Sequence, residues 1–123
     1  MQGPFSFENT REKGNIGEDA AVEFLLSIGY TIISRNYQAK RGEIDCIAKD
    51  PNGTLVFCEV KSAKSLRYGH PAFWITNDKK RKIIRMAQRY LAEHRYSQHP
   101  CRFDVITIVQ GKIEHIKNAF LSS

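Results

Sequence analysis

Two short β-prone runs, Glu43 to Lys49 (EIDCIAK) and Leu55 to Lys61 (LVFCEVK), flank the tetrapeptide Asp50-Pro51-Asn52-Gly53. Nothing else in the sequence restricts the fold as much. The runs are rich in β-branched and aromatic residues, and the tetrapeptide joins three residue types that each favour a turn for a separate physical reason. Together they predict an antiparallel hairpin, and a hairpin dictates which side chains share a face. Strand side chains alternate, so Phe57, Glu59 and Lys61 should lie on one side, with Val56, Cys58 and Val60 on the other. The same alternation puts Glu43, Asp45 and Ile47 together, opposite Ile44, Cys46 and Ala48. Asp45 and Glu59 can then converge across the hairpin, with Lys61 one step along.

Gathering carboxylates in a half-buried place raises their pKa values and adds a desolvation cost. A divalent cation removes that cost. Two carboxylates (Asp45 and Glu59), a backbone carbonyl (Val60) and waters are hard oxygen ligands that suit Mg2+ or Mn2+, with a substrate phosphate completing the shell. Such an ion activates water and stabilises charge on a phosphate under attack, and Lys61 beside it could orient that water or offset the charge. The plainer reading of Glu59 and Lys61 is a same-face ion pair, worth under ~1 kcal/mol if exposed. Residue types and spacing alone leave both readings open.

The rest of the chain supplies the frame. A helix is predicted from Ile16 to Ile28, capped by Asn15 with Glu18 and stopped at Gly29; Glu18 heads its apolar stripe of Ala21, Val22, Leu25 and Ile28. A strand over Thr31 to Tyr37 precedes the hairpin. A second helix after Asn77, reaching about His94, should turn Ile83, Ile84, Ala87, Tyr90, Leu91 and His94 inward. Strands over Arg102 to Val109 and Lys112 to Ile116 meet at Gln110-Gly111. Between Ser62 and Thr76 the aromatics Tyr68, Phe73 and Trp74 suggest a loop packed over a site; Phe73 and Trp74 could stack on distorted bases, but loop anchors in the core are the favoured reading. The expected class is α/β, with a mixed central sheet flanked by helices.

Charge is segregated: Lys61 to Arg95 holds ten Lys/Arg and two acids, a local +8, against nine and eleven elsewhere, or −2. Lys79, Lys80, Arg81 and Lys82 fall in the first turn of the second helix, where the macrodipole disfavours cations by some tenths of a kcal/mol. Phosphate binding explains them better, and with Arg85 and Arg89 they make a stripe suited to a nucleic-acid backbone. No run approaches the ~20 apolar residues of a membrane span, and the start lacks a signal-peptide pattern, so a cytoplasmic protein without membrane partners is expected. Cys46, Cys58 and Cys101 lack metal-type spacing and read as free thiols. Asp104 lies among apolar strand residues, where an arginine partner would offset its burial.

Gly42-Glu43-Ile44-Asp45, Val56-Phe57-Cys58-Glu59-Val60-Lys61 and Arg102-Phe103-Asp104-Val105, with Gly17-Glu18, Arg35-Asn36 and the stretch from Lys79 through Ala87 to Leu91, closely resemble the YraN-like family of small bacterial proteins. The resemblance covers nearly the whole chain. It implies a restriction-endonuclease-like core over residues 1–123 as one nuclease-like domain, similar to archaeal Holliday junction resolvases, with a PD-(D/E)xK type of site. Asp45 and Glu59 would be metal ligands, Lys61 the catalytic lysine and Glu18 an additional helix acid. Ile44 stands where the motif's proline would be, and Ala63 where relatives often carry an arginine. The function so implied is a Mg2+- or Mn2+-dependent DNA endonuclease, selective for branched or repair DNA and, by analogy with resolvases, a homodimer. The alternative is a non-catalytic nucleic-acid or repair-complex binding protein on the same fold.

Overall fold

The computed structural model describes residues 16–39, 42–67, 69–96 and 99–120, the Phe73 side chain excepted. Asn15, Tyr68 and the Phe73 side chain, for which roles were expected, lie outside the described atoms. The order is helix α1 (16–27), strands β1 (Thr31–Ala39), β2 (Gly42–Lys49) and β3 (Leu55–Ala63), a 3-10 turn (Pro71–Trp74), helix α2 (Asn77–Glu93), and strands β4 (Cys101–Val109) and β5 (Lys112–Phe120). They form one sheet in the order β1-β2-β3-β4-β5, in which β3 and β4 are parallel and the other pairs antiparallel. A parallel pair needs a long crossover, and the segment containing α2 provides it. This is the mixed-sheet α/β architecture expected from the sequence. Among the described residues no helix is long and apolar enough to cross a membrane.

The β2–β3 and β4–β5 hairpins close through local chemistry. The Asp50 carboxylate accepts hydrogen bonds from the N–H groups of Asn52 and Thr54 at 2.9 and 3.0 Å, and Gly53 adopts φ 91°. Gln110 and Gly111, at φ 53° and 78°, supply the left-handed pair that matches the twist of β4 and β5.

The sheet is covered on both faces. Ile83, Ala87 and Tyr90 of α2 pack on Ile44, Ile47, Leu55, Phe57 and Phe103. Ala21 and Leu25 of α1 pack on Cys46, Ala48, Val56, Cys58 and Ile106. Burying each large apolar side chain contributes roughly 1.5–3 kcal/mol, so these two layers hold the fold. Cys46 and Cys58 are paired across the hairpin as buried free thiols, and Cys101 is free as well.

Several expectations are corrected. Ile44 packs in the same layer as Ile47, while Cys46 and Ala48 face α1, so strict alternation breaks in β2 between residues 44 and 46. Across from that break, between the pairs Arg35↔Cys46 and Tyr37↔Ile44, Asn36 sits at φ 54°, a left-handed conformation that asparagine tolerates. Ile28 falls beyond the end of α1 and is 40% exposed. Met86, not anticipated, is buried under α2, whereas His94 lies at the helix end, exposed, stacked on Tyr90 with its Nδ1 against the Tyr90 carbonyl. The cap of α2 is Thr76, whose hydroxyl accepts from Lys79 N–H at 3.1 Å. Trp74, expected as a core anchor, is 41% exposed.

The arginine partner expected for Asp104 is present. Asp104, fully buried, accepts from Arg102 Nε at 3.0 Å, from the Asn118 N–H at 3.0 Å, and lies 2.7 Å from His115 Nε2. Arg102 also reaches Asp50 and the Tyr30 hydroxyl, both at 2.6 Å. These partners hold the carboxyls of Asp104 and Asp50 below their usual range against the opposing effect of burial. The network ties the hairpin turn to β4 and β5.

Candidate active site

The β2–β3 ladder runs from Lys49↔Leu55 to Cys46↔Cys58 and ends there, while β3 stays paired with β4 as far as Ala63↔Val109. Past Cys46 and Cys58 the hairpin strands part, and Asp45 and Glu59 are the first residues of the opening. The Val60 N–H donates to Asp45 Oδ2 at 2.8 Å, a side-chain bond in place of the missing ladder bond. The opening leads into a cavity of about 520 Å³ lined by Glu18, Gly42, Glu43, Asp45, Glu59, Val60, Lys61, Ser62 and Lys79.

Four elements build it. Glu59 and Lys61 follow the alternation of β3 predicted from Phe57. Glu18 arrives from the first turn of α1, and Gly17 makes that approach possible: a Cβ there would run into the Ser62 hydroxyl. Asn36, whose backbone is left-handed, lies close enough to Glu18 to lower its carboxyl slightly against the larger effect of burial. Lys79 enters from α2, its Nζ 3.6 Å from Glu59 Oε2 and next to Lys61.

The electrostatics record the crowding. Burial, then the neighbouring Asp45 carboxylate, pushes Glu59 up to about 7. Burial raises Asp45 too, opposed by the Val60 N–H and reinforced by Glu43, and burial followed by Asp45 and Glu43 raises Glu18. Lys61 is lowered by burial and then by Lys79. Lys79 is raised: burial works against it, but the Lys61 amine and the carboxylates of Glu59 and Asp45 outweigh that.

The structure thus brings together Glu18, Asp45, Glu59, Val60 and Lys61, all expected at one site. It adds Glu43, Gly42 and Ser62, and moves Lys79 from the expected basic stripe into the cavity. Alternation already placed Glu43 beside Asp45 in the sequence; no local signal marks Lys79. The other cations of α2 are divided: Lys80 lies 5.7 Å over the Phe120 ring, Arg81 and Lys82 share Asp78, and Arg89 pairs with Glu93. Arg85 is exposed.

Comparison with known proteins gives the lineage. A family model described as "Uncharacterised protein family UPF0102" matches residues 17–108. The chain belongs to that family. UPF0102 proteins of Persephonella marina (51% identical, 88% of this chain and 92% of the relative), Desulfosudis oleivorans (49%, 91% and 93%) and Clostridioides difficile (42%, 91% and 99%) are similar over most of their length. The UPF0102 match runs from α1 into β4 and so spans every residue lining the cavity.

The donor set can be weighed against a metal ion. Among the described residues, Glu18 Oε1 and Glu59 Oε1 are buried without a hydrogen-bond partner, so the protein leaves each of these oxygens unsatisfied. Among the described residues no three His, Cys, Asp or Glu side chains are gathered closely enough to form a metal-holding group. Mg2+ does not require such a cage, since it keeps several waters and takes one or two carboxylates plus substrate phosphate. Asp45, Glu59 and the Val60 carbonyl fit that demand, and Cys and His, which Zn2+ would favour, do not line the cavity.

Proposed function

We propose that this UPF0102 protein is a Mg2+- or Mn2+-dependent nuclease that hydrolyses phosphodiester bonds in DNA, with branched or repair DNA as its substrate class. One observation carries the reading: Glu18, Asp45, Glu59 and Lys61 line one cavity in which two carboxylate oxygens are buried without partners among the described residues. The resemblance to PD-(D/E)xK nucleases supports the same assignment.

Asp45, Glu59 and the Val60 carbonyl would hold the ion, and Glu18 would act from α1 through water. When bound, the ion supplies Lewis acidity and lowers the pKa of water at the phosphate. The Val60 N–H fixes the Asp45 carboxylate, so one ligand is oriented before any ion binds. Lys61, held by β3 on the same side as Glu59, offsets charge as it grows on the phosphate oxygens. Lys82, Arg85 and Arg89 on α2 would contact the flanking backbone, giving affinity without base readout.

Cleavage of labelled junction, flap and duplex DNA in Mn2+ tests this. Wild type should cut, and Asp45→Ala and Glu59→Ala should each lose at least about 10³-fold, the scale of removing a key electrostatic group, while still binding DNA. Cleavage that survives in both variants, or is absent from wild type on all three substrates, refutes the assignment.

A further inference from the structure

Lys79 lies in the cavity because of where α2 begins. Thr76 caps the helix through the Lys79 N–H, which fixes the first turn, and from there the side chain crosses to Glu59 rather than joining its basic neighbours outside. Its contact with Glu59 Oε2, at 3.6 Å, is longer than a good charge-assisted hydrogen bond of about 2.7–2.9 Å. Glu59 Oε1 has no partner among the described residues, so the lysine screens the acid without satisfying it. The lysine side chain is 41% exposed, which leaves it free to swing aside while remaining tethered within the cavity.

Charge balance gives this position a consequence. When all are ionised, as ligands to a cation would be, Glu18, Glu43, Asp45 and Glu59 bring four negative charges to the cavity lining, and Lys61 and Lys79 bring two positive. The difference, two negative charges, is what one divalent cation cancels. A second dication would enter a lining already neutral, with an ammonium beside the carboxylate it would have to share. Two-metal sites hold their ions about 3.5–4 Å apart, so a second ion would have to share the same carboxylates. The Lys79 ammonium stands 3.6 Å from Glu59 Oε2, where its charge would repel a second ion.

We infer that Lys79 is a positioning residue of the site: it is the counter-cation of Glu59 in the metal-free protein and restricts the site to one divalent cation. The inference rests on the metal-dependent reading above.

Mn2+ alone is titrated into the full-length protein by calorimetry, with the bound ions counted independently by electron paramagnetic resonance. Wild type should bind one Mn2+ per chain. Lys79→Met should bind two, the first about tenfold tighter because a neighbouring positive charge is gone. Lys79→Arg should return the count to one. Two ions in wild type, or one in Lys79→Met, overturns the inference and leaves the metal-dependent reading standing. No Mn2+ bound by wild type, or binding that persists in an Asp45→Ala, Glu59→Ala double variant, overturns that reading and this inference with it.

Discussion

Glu59 offers a test of the site that needs no substrate. In the metal-free protein its carboxyl titrates at about 7 instead of the usual 4.5, chiefly through burial and then through Asp45. A proton is therefore held more tightly by the folded than by the unfolded chain between those values. Stability must fall as pH rises through that window and level off above it. At 1.36 kcal/mol per unit the shift corresponds to about 3 kcal/mol. Asp45 and Glu18, also raised, act in the same direction. The depressed carboxyls of Asp50 and Asp104 contribute stability that is lost only as pH falls below about 4, so the two effects do not overlap. For 123 residues, unfolding entropy makes 1 kcal/mol worth roughly 4 °C in Tm. Melting in EDTA should therefore show wild type losing about 8–12 °C between pH 5 and 8. Glu59→Gln, which mimics the protonated acid, should flatten most of that slope and melt higher than wild type at pH 8. Excess Mn2+ should stabilise wild type at pH 8 and leave Glu59→Gln nearly unchanged. A metal-free wild type whose Tm is constant or rises from pH 5 to 7 refutes the reasoning, as does a Glu59→Gln variant that melts lower than wild type at pH 8.

Other consequences follow from single contacts. Gly17→Ala should cost about 1–3 kcal/mol by overpacking against Ser62, and adding Ser62→Ala should restore most of it, since the remaining Ser62 Cβ lies 3.7 Å from the new Cβ; denaturant unfolding of the single and double variants decides this. Arg102→Met should cost about 3–5 kcal/mol by leaving Asp104 buried without its guanidinium, with Mn2+ affinity unaffected; a cost below about 1 kcal/mol would mean that the network is idle. Thr107→Val should be neutral or stabilising by up to about 1 kcal/mol, because the Thr107 hydroxyl is buried without a partner among the described residues; clear destabilisation would reveal a partner for it.

What could be read in advance follows from how far each rule reaches along the chain. The turn at Asp50-Pro51-Asn52-Gly53 and the alternation of β3 are local, and they placed Glu59 and Lys61 on the side where the structure has them. Alternation misled in β2, because Asn36 in the neighbouring strand adopts a left-handed backbone opposite Asp45 and the β2 side chains change face there. Helical spacing found Ile83, Ala87 and Tyr90, but could not say that the stripe extends to Met86 rather than His94, since the width of a buried face depends on what packs against it. The same limit hid Lys79: four successive basic residues look equivalent until the helix is docked.

The hairpin, the acids it carries and the segregation of basic charge follow from the sequence alone, because turn chemistry and strand alternation act between near neighbours. Tertiary structure decided where the β2–β3 ladder stops, how closely α1 approaches Ser62, and which cation of α2 turns inward. Those depend on the relative placement of elements far apart in the chain, which only the packing of both helices onto one sheet sets.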